Sequence, residues 1–321
     1  MEKEIVSNKD FTHTQAVALK NEALWQGLSK IQLIEVISQF LAKLSPHTQR
    51  SYATAFDLFF QKGILNPNCN LQQFSLHNLE NILDHIKDKT DGKEATKQAR
   101  CACFISFSAY LARRTQGMIR KAIPCKDNGA TTFKKIRRTA VTEALTEKEL
   151  TDFLRELNKL SYRDCLIART ILQGAKRLDE VLNAKISQIN WQEKKITFKQ
   201  SKSKELEQIT VIHYPESFIQ ELKDYTANRS QEDYIFITRN GKKIAQPHIF
   251  RSFVSSSIKA SITKKVSAHS LRATAITIFS SRGYSVEQIM KVSGHTSPTC
   301  VTYYDKTPIE KNISKEVNLI G

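Results

Sequence analysis

Two arginines, two histidines and a tyrosine in the second half of the chain have side chains suited to phosphoryl transfer. In chain order they are Arg177, His269, Arg272, His295 and Tyr304. A phosphodiester repels nucleophiles because it is negatively charged, and an arginine can grip two of its nonbridging oxygens as charge builds up in the transition state. A tyrosine hydroxyl is a suitable nucleophile. The set therefore indicates breakage of a DNA phosphodiester through a tyrosyl intermediate.

The local spacing supports this hypothesis. Glu180 lies three residues after Arg177, where it could orient the guanidinium, although an ordinary helical ion pair is equally compatible. His269 and Arg272 form a His-x-x-Arg at the start of a predicted helix, which places both on one face. Each residue alone is typical of a surface arginine or a structural histidine. The hypothesis depends on the combination and its order.

Composition fits a nucleic-acid partner. The chain has 321 residues, which favours two domains, and 49 Lys and Arg against 32 Asp and Glu give a net charge of +17. Such an excess suits a polyanion, because binding releases the counterions condensed on its phosphates. The alternative explanation of this charge is a basic protein whose lysines are scattered over its surface. With 40% apolar and 25% charged residues, the chain is typical of a globular protein rather than a disordered one.

Several other classes of protein are disfavoured. No apolar run is long enough to span a bilayer and the N-terminus does not resemble a signal peptide, so we expect no membrane association and a cytoplasmic location. The six cysteines contain no Cys-x-x-Cys pair, which predicts reduced thiols, mostly small core residues, rather than zinc ligands or disulfides. No glycine-rich phosphate loop or acidic metal cluster is evident, so we expect no cofactor.

The first part of the chain is predicted to be a short arm followed by a helical domain. Residues 1–30 are polar and predict a mobile arm or a single short helix. Residues 31–117 predict an all-helical domain, in which one helix runs from Ile31 to Ser45 and Pro46 starts the next. The apolar face of the first helix is expected to include Ile34, Ile37, Phe40, Leu41 and Leu44. Further helices are expected at about 75–89 and 93–115.

A basic segment, residues 118–142, predicts the boundary between the domains. It carries seven Lys or Arg residues against one acid, Asp127, with Pro124 and Gly129 as breakers. A solvated linker and a strap that crosses the DNA backbone are both compatible with this pattern. For the second alternative the expected DNA contacts are Lys134, Lys135, Arg137 and Arg138.

The second domain, residues 143–308, is predicted to be helical with one β-hairpin. Thr146 and Glu149 have the spacing of a capping box, and helices are expected near residues 163–173, 215–227, 247–260, 270–282 and 285–293. Alternation over 195–199 and 208–213 predicts the hairpin. The fold class is therefore mainly α with a small β-sheet (α+β), and residues 309–321 form a C-terminal tail.

Four segments resemble the tyrosine recombinase (phage integrase) family. They are Gln173–Leu182, His269–Ala275, Gly294-His295 and Tyr304, and the likeness covers about residues 145–305. Residues 289–295 and 304–306 resemble more specifically the integrases of chlamydial virulence plasmids. The resemblance implies a helical core-binding DNA-binding domain followed by the tyrosine recombinase catalytic domain.

The resemblance also implies a role for each site residue. Arg177 matches the first arginine of the family, His269 and Arg272 the His-x-x-Arg, His295 the second histidine and Tyr304 the nucleophile. The catalytic lysine of the family lies in the hairpin turn, where Lys202 fits best and Lys199 and Lys204 remain candidates.

The chain departs from the family pattern at two points. Where the family commonly has Gly-x-Arg before the glutamate, this chain reads Gly174-Ala-Lys176-Arg177, and we assign Arg177 because only it has Glu at the third position after it. Tyr303 adjoins Tyr304, and the nine-residue step from His295 selects Tyr304. Tyr303 is then expected to be a packing residue.

The implied activity is site-specific DNA recombination. Tyr304 would form a 3′-phosphotyrosyl link to double-stranded DNA, without metal or ATP, in a homotetramer that holds two paired sites. A relaxing enzyme similar to type IB topoisomerases would share the chemistry and act as a monomer. A non-catalytic DNA-binding factor for plasmid replication or copy number is a further alternative, although the complete set of catalytic residues argues against it.

Overall fold

The computed structural model describes residues 20–125, 143–200 and 208–304, together with Ala18 and Phe133. For Tyr303 and Tyr304 it describes the backbone alone. The chain divides into two compact units, residues 1–138 and 139–321, and each has a hydrophobic core of its own.

The described part of the first unit is helical. Residues 20–28 form α1, and the rest of the predicted N-terminal segment up to residue 17 lies outside the described residues. The remaining helices are α2 (Leu33–Leu41), α3 (Pro46–Gln61), α4 (Leu71–Ser75), α5 (Leu79–Lys89) and α6 (Glu94–Arg114). As predicted, α3 starts with Pro46 at its first position, where the missing N–H costs nothing. Phe40, Phe56 and Phe107 pack edge-to-face or tilted at the centre of the core.

The predicted apolar face of α2 was partly wrong. Ile37 and Phe40 are buried, but they share the inner face with Leu33 and Val36, while Ile34 is 41% exposed. Positions 33, 36, 37 and 40 form the stripe that packs on α3 and α6, because the position of these two helices decides which face of α2 is buried. The short helix α4 was not predicted, because five residues are too few to show a helical period.

The described part of the second unit combines eight α-helices and a 3-10 helix (Ile186–Gln188) with a small sheet. The helices are α7 (Glu147–Leu160), α8 (Tyr162–Gly174), α9 (Leu178–Asn183), α10 (Glu216–Tyr225), α11 (Gln246–Lys259), α12 (Ala268–Ser281), α13 (Val286–Ser293) and α14 (Pro298–Tyr304). The predicted capping box at Thr146 is formed, and Ser285 forms a second one at the start of α13. Helix α14 was not predicted.

The sheet is antiparallel, in the order β1-β2-β3. Strand β1 (Ile189–Asn190) was not predicted, whereas β2 (Lys195–Lys199) and β3 (Ile209–His213) are the two strands of the expected hairpin. Alternate residues of both strands point into the core, Ile196 and Phe198 from β2 among them. The fold class is confirmed as mainly α with a small sheet. The hairpin turn, residues 201–207, lies outside the described residues.

The cysteines are free thiols. Cys69, Cys101, Cys103 and Cys165 are buried, as expected of small core residues, while Cys125 is half-buried and Cys300 exposed. In the part of the chain that the structure describes, no helix combines the length and apolarity needed to cross a membrane.

Candidate active site

Arg272 is the buried centre of the site. It lies in the second turn of α12 and is 1% exposed. Its NH1 donates to the carbonyl of Ala175 at 2.6 Å and its NH2 to the carbonyl of Ser293 at 3.1 Å. Ala175 follows the last residue of α8 and Ser293 ends α13, so the cation sits where the two helix dipoles favour positive charge. Arg272 therefore holds the ends of two helices at one point.

His295 lies directly against this guanidinium. Arg272 NH2 is 2.8 Å from its Nε2, and Ser293 Oγ is 2.8 Å from its Nδ1. Because a guanidinium can only donate, the ring nitrogen that faces it must accept, which requires a neutral imidazole. Burial, followed by the charges of Arg272 and Arg177, lowers the pKa of His295 to about 3. His295 is therefore neutral at physiological pH.

Gly294 makes this placement possible. It ends α13 in the left-handed region, with φ 71°, the conformation in which glycine commonly ends a helix. A Cβ at this position would come within 2.3 Å of Gln200 Nε2 and 3.2 Å of Thr210 Cγ2. The backbone before His295 thus passes close to the β2–β3 hairpin, and only glycine fits without displacing a neighbour.

Arg177 is held by Glu180 and partly exposed. It is the N-cap residue of α9, and its NH1 donates to Glu180 Oε1 at 2.8 Å. The backbone N–H of Arg177 donates to the other carboxylate oxygen at 3.2 Å. The Glu180 side chain is fully buried, whereas that of Arg177 is 31% exposed. Glu180 therefore orients Arg177, and this guanidinium remains accessible to a phosphate.

The structure also distinguishes Arg177 from its neighbour Lys176. Helix α8 ends at Gly174, and Ala175 follows in the left-handed conformation, φ 45° and ψ 40°. This turn sends the Lys176 side chain inward, where it is completely buried, and leaves Arg177 at the surface. Arg177, and not Lys176, is therefore the side chain that remains accessible to a phosphate.

His269 shares a cleft with Arg177. It lies in the first turn of α12, three residues before Arg272, and is exposed. The cleft has a volume of about 580 Å³ and is also lined by Asp179, Phe250 and Ser267. The predicted spacing thus places His269 at the mouth of the site and Arg272 inside it.

Tyr304 is the last residue of α14. This helix packs on α12 and α13 through Val301, which is buried against Ile276 and Ile289. The backbone of Tyr304 is therefore anchored to the same helices that carry Arg272 and the segment before His295.

Of the remaining predicted site residues, the structure describes only Lys199. Lys202 and Lys204 lie outside the described residues, as do Lys134, Lys135, Arg137 and Arg138. Lys199 ends β2 and is exposed.

Three buried residues of the site were not predicted from the sequence. Ser293 contacts both Arg272 and His295, and Lys176 reaches Thr210 on β3. A serine beside Gly-His and a lysine beside arginine give no periodic signal, and only the folded chain shows their partners. Over the described ranges, no group of three or more His, Cys, Asp or Glu side chains could hold a metal ion.

The assembled site can stabilise a phosphate. Arg177, Arg272, Lys176 and His269 are all close enough to His295 to lower its pKa, so positive charge converges from α9 and α12. A neutral histidine within this field can donate or accept a hydrogen bond without adding charge. Such an arrangement suits a pentacoordinate phosphorus whose oxygens carry excess negative charge.

Known proteins resemble the chain in sequence and in fold. Residues 143–308 match the phage integrase family. Virulence plasmid integrase pGP8-D of Chlamydia trachomatis is 39% identical over 313 residues, 96% of this chain and 94% of that protein. Virulence plasmid integrase pGP7-D of Chlamydia muridarum is 35% identical over 270 residues, 83% of this chain and 88% of that protein.

A solved structure shares the fold at low identity. It is a lambda integrase dimer bound to a COC' core site, with a TM-score of 0.65 and 13% identity, covering 95% of this chain and 89% of that one. The sequence matches confirm the resemblance inferred from the motifs, including the likeness to chlamydial plasmid integrases. The chain belongs to the phage integrase family.

Proposed function

We propose that the protein is a site-specific DNA recombinase that cuts and rejoins DNA through a 3′-phosphotyrosyl intermediate. The observation that carries the proposal is the Arg272–His295 pair, fixed between the ends of α8 and α13 and followed nine residues later by Tyr304 at the end of α14. Two helices and a glycine turn build this pair, and Arg272 also joins the ends of those helices.

The chemistry follows from the side chains. The Tyr304 hydroxyl releases its proton to the solvent, and its oxygen attacks phosphorus and forms the P–O bond of the phosphotyrosine, while the bond to the 5′-oxygen breaks. Arg177 and Arg272 stabilise the charge on the nonbridging oxygens, and Lys202 protonates the departing 5′-oxygen. Attack by a second 5′-hydroxyl reverses these steps and joins new partners. Because the phosphotyrosyl bond conserves the bond energy, neither ATP nor a metal is required.

The partner is double-stranded DNA in the cytoplasm. The net charge of +17 supports this, as does the binding of lambda integrase, a relative in fold, to a core site. In this proposal residues 31–117 bind one face of the duplex, the basic linker 118–142 crosses its backbone, and residues 143–308 cut it. Two bound pairs form the tetramer in which strands are exchanged. No contact of the described residues favours a relaxing enzyme or a non-catalytic factor.

The nucleophile provides the direct test. Duplex fragments of the replicon that encodes the protein, nicked so that cleavage cannot be reversed, are incubated with it and resolved under denaturing conditions. The wild type and Tyr303→Phe are expected to form covalent adducts. Tyr304→Phe should form none while it binds the same fragments with nearly unchanged affinity. Adducts formed by Tyr304→Phe would refute the assignment of the nucleophile.

A further inference from the structure

Lys176 is a buried lysine that the proposed chemistry does not use. Its side chain is 0% exposed, although it adjoins the accessible Arg177. A buried ammonium loses its hydration and is retained only where other groups replace the water. The partners of Lys176 therefore indicate its role.

Lys176 joins two separate parts of the site. Its Nζ donates to Thr210 Oγ1 at 2.6 Å and lies 3.8 Å from Glu180 Oε2. Thr210 is the second residue of β3, opposite Phe198 of β2, and the Lys176 Nζ lies 5.6 Å from the centre of the Phe198 ring. Glu180 is the carboxylate that holds Arg177. One ammonium thus connects the hairpin with the residue that orients the exposed arginine.

The surrounding backbone is shaped to admit this side chain. A Cβ on Gly174 would come within 2.9 Å of Lys176 Cγ and 3.0 Å of Ile212 Cγ1. The left-handed turn at Ala175 then directs the lysine inward. Thr210, its hydrogen-bond partner, also lies beside Gly294, the residue before His295. The contact is therefore built into the junction of α8, α9 and the hairpin.

We propose that Lys176 is a positioning residue for DNA cleavage, which fixes the β2–β3 hairpin relative to Glu180 and Arg177. The hairpin carries the turn in which the proposed general acid, Lys202, resides. Without the contacts of Lys176, the hairpin and Arg177 keep their own local contacts, but their positions relative to each other are no longer fixed. This inference rests on the proposed function, because it concerns the rate of the same cleavage step.

The charge of Lys176 gives the role a distinctive pH dependence. Burial and the nearby cations Arg272 and Arg177 outweigh Glu180 and lower the pKa of Lys176 to about 8. These groups face the ammonium from α9 and α12, with His295 also close by, while Thr210 and Phe198 of the hairpin do not titrate. The ion pair with Glu180 is therefore complete near pH 7 and is lost as the pH rises through about 8.

The test compares Lys176→Met and Thr210→Val with the wild type, at saturating DNA, from pH 6.5 to 9.5. The substrate keeps its bridging 5′-oxygen, so that the rate depends on the general acid as well as on Arg177. At pH 7 we expect Lys176→Met to cleave about 10- to 100-fold more slowly with unchanged DNA affinity, the usual effect of a small misplacement of reacting groups. Its rate should converge with that of the wild type toward pH 9.5.

Thr210→Val separates positioning from folding. It leaves the lysine charge in place and removes only the hydrogen-bond acceptor, so it should show a smaller defect, and the double variant should be no slower than Lys176→Met. The inference is wrong if Lys176→Met cleaves at the wild-type rate at all pH values. It is also wrong if the defect of the double variant equals the product of the two single defects. Either result would leave the proposed function intact. Absence of covalent adducts with the wild type would overturn the proposed function and this inference together.

Discussion

Replacing Gly294 by alanine tests how closely the His295 segment must approach the hairpin. An alanine here meets two costs. The left-handed backbone, φ 71°, costs an L-residue about 1–2 kcal/mol. The added Cβ would also lie 2.3 Å from Gln200 Nε2 and 3.2 Å from Thr210 Cγ2. The Gln200 amide can swing away, but Thr210 belongs to a paired strand, so we add about 1–2 kcal/mol for the displacement.

Gly241→Ala is the matched control. Gly241 has φ 70°, in the same second unit, and an added Cβ there meets nothing within 4 Å. It should therefore lose only the backbone cost of about 1–2 kcal/mol, against a total of about 2–4 kcal/mol for Gly294→Ala. The difference between the two variants isolates the contact with Thr210 and Gln200.

The free energy of unfolding is measured by urea denaturation. In a Trp25→Phe background the fluorescence of Trp191 reports the second unit alone, since these are the two tryptophans of the chain. Covalent adduct formation is measured alongside, and Gly294→Ala should lose more activity than its unfolded fraction explains, because His295 moves with the backbone. Unfolding free energies of the two variants within about 0.5 kcal/mol of each other would refute the steric argument.

Three further predictions concern the linker, the general acid and the buried histidine. The linker is tested by neutralising four of its basic residues together, namely Lys134, Lys135, Arg137 and Arg138. This change should reduce the slope of log affinity against log salt concentration by up to about four units. An unchanged slope would indicate a solvated linker. Sulfur at the bridging 5′-position should largely rescue cleavage by Lys202→Ala but not by Arg177→Ala; rescue of Lys199→Ala or Lys204→Ala instead would move the general acid to that lysine. His295 has a folded-state pKa of about 3, below the unfolded value of about 6.5, so the unfolded state binds more protons between these values. The stability of the wild type relative to His295→Gln should therefore fall from pH 7 to pH 4, as measured by urea denaturation at each pH, and a constant difference would contradict the buried neutral imidazole.

The C-terminal tail, residues 309–321, provides a test of assembly. It lies outside the described residues, and its apolar spacing at Ile309, Ile313 and Val317 has no evident partner in the sequence. Deleting it should weaken pairing of two DNA-bound dimers more than binding to a single site, as measured by gel mobility. Equal loss of both would indicate a tail that packs on its own domain.

The sequence determined the parts of the protein that depend on local physics. Capping boxes at Thr146 and Ser285, the proline start of α3 and the left-handed Gly294 are fixed by residues within a few positions of each other. The hairpin strands were predicted because alternation over five residues is enough to show a half-buried strand. The set Arg177, His269, Arg272, His295 and Tyr304 was found because its order and spacing are a family pattern, although their catalytic roles remain predictions.

Only the tertiary structure decided which polar groups are buried and what they contact. The state of His295 depends on Arg272, 23 residues away, and the burial of Lys176 depends on Thr210, 34 residues away. No local pattern contains such pairs, because their members come from different helices and strands. For the same reason the prediction that Ile34 is buried was wrong, because the helices on which α2 packs decide which of its faces is buried. Long-range packing thus decides that His295 is a neutral imidazole beside the buried Arg272. It also decides that Lys176 links the hairpin to Glu180.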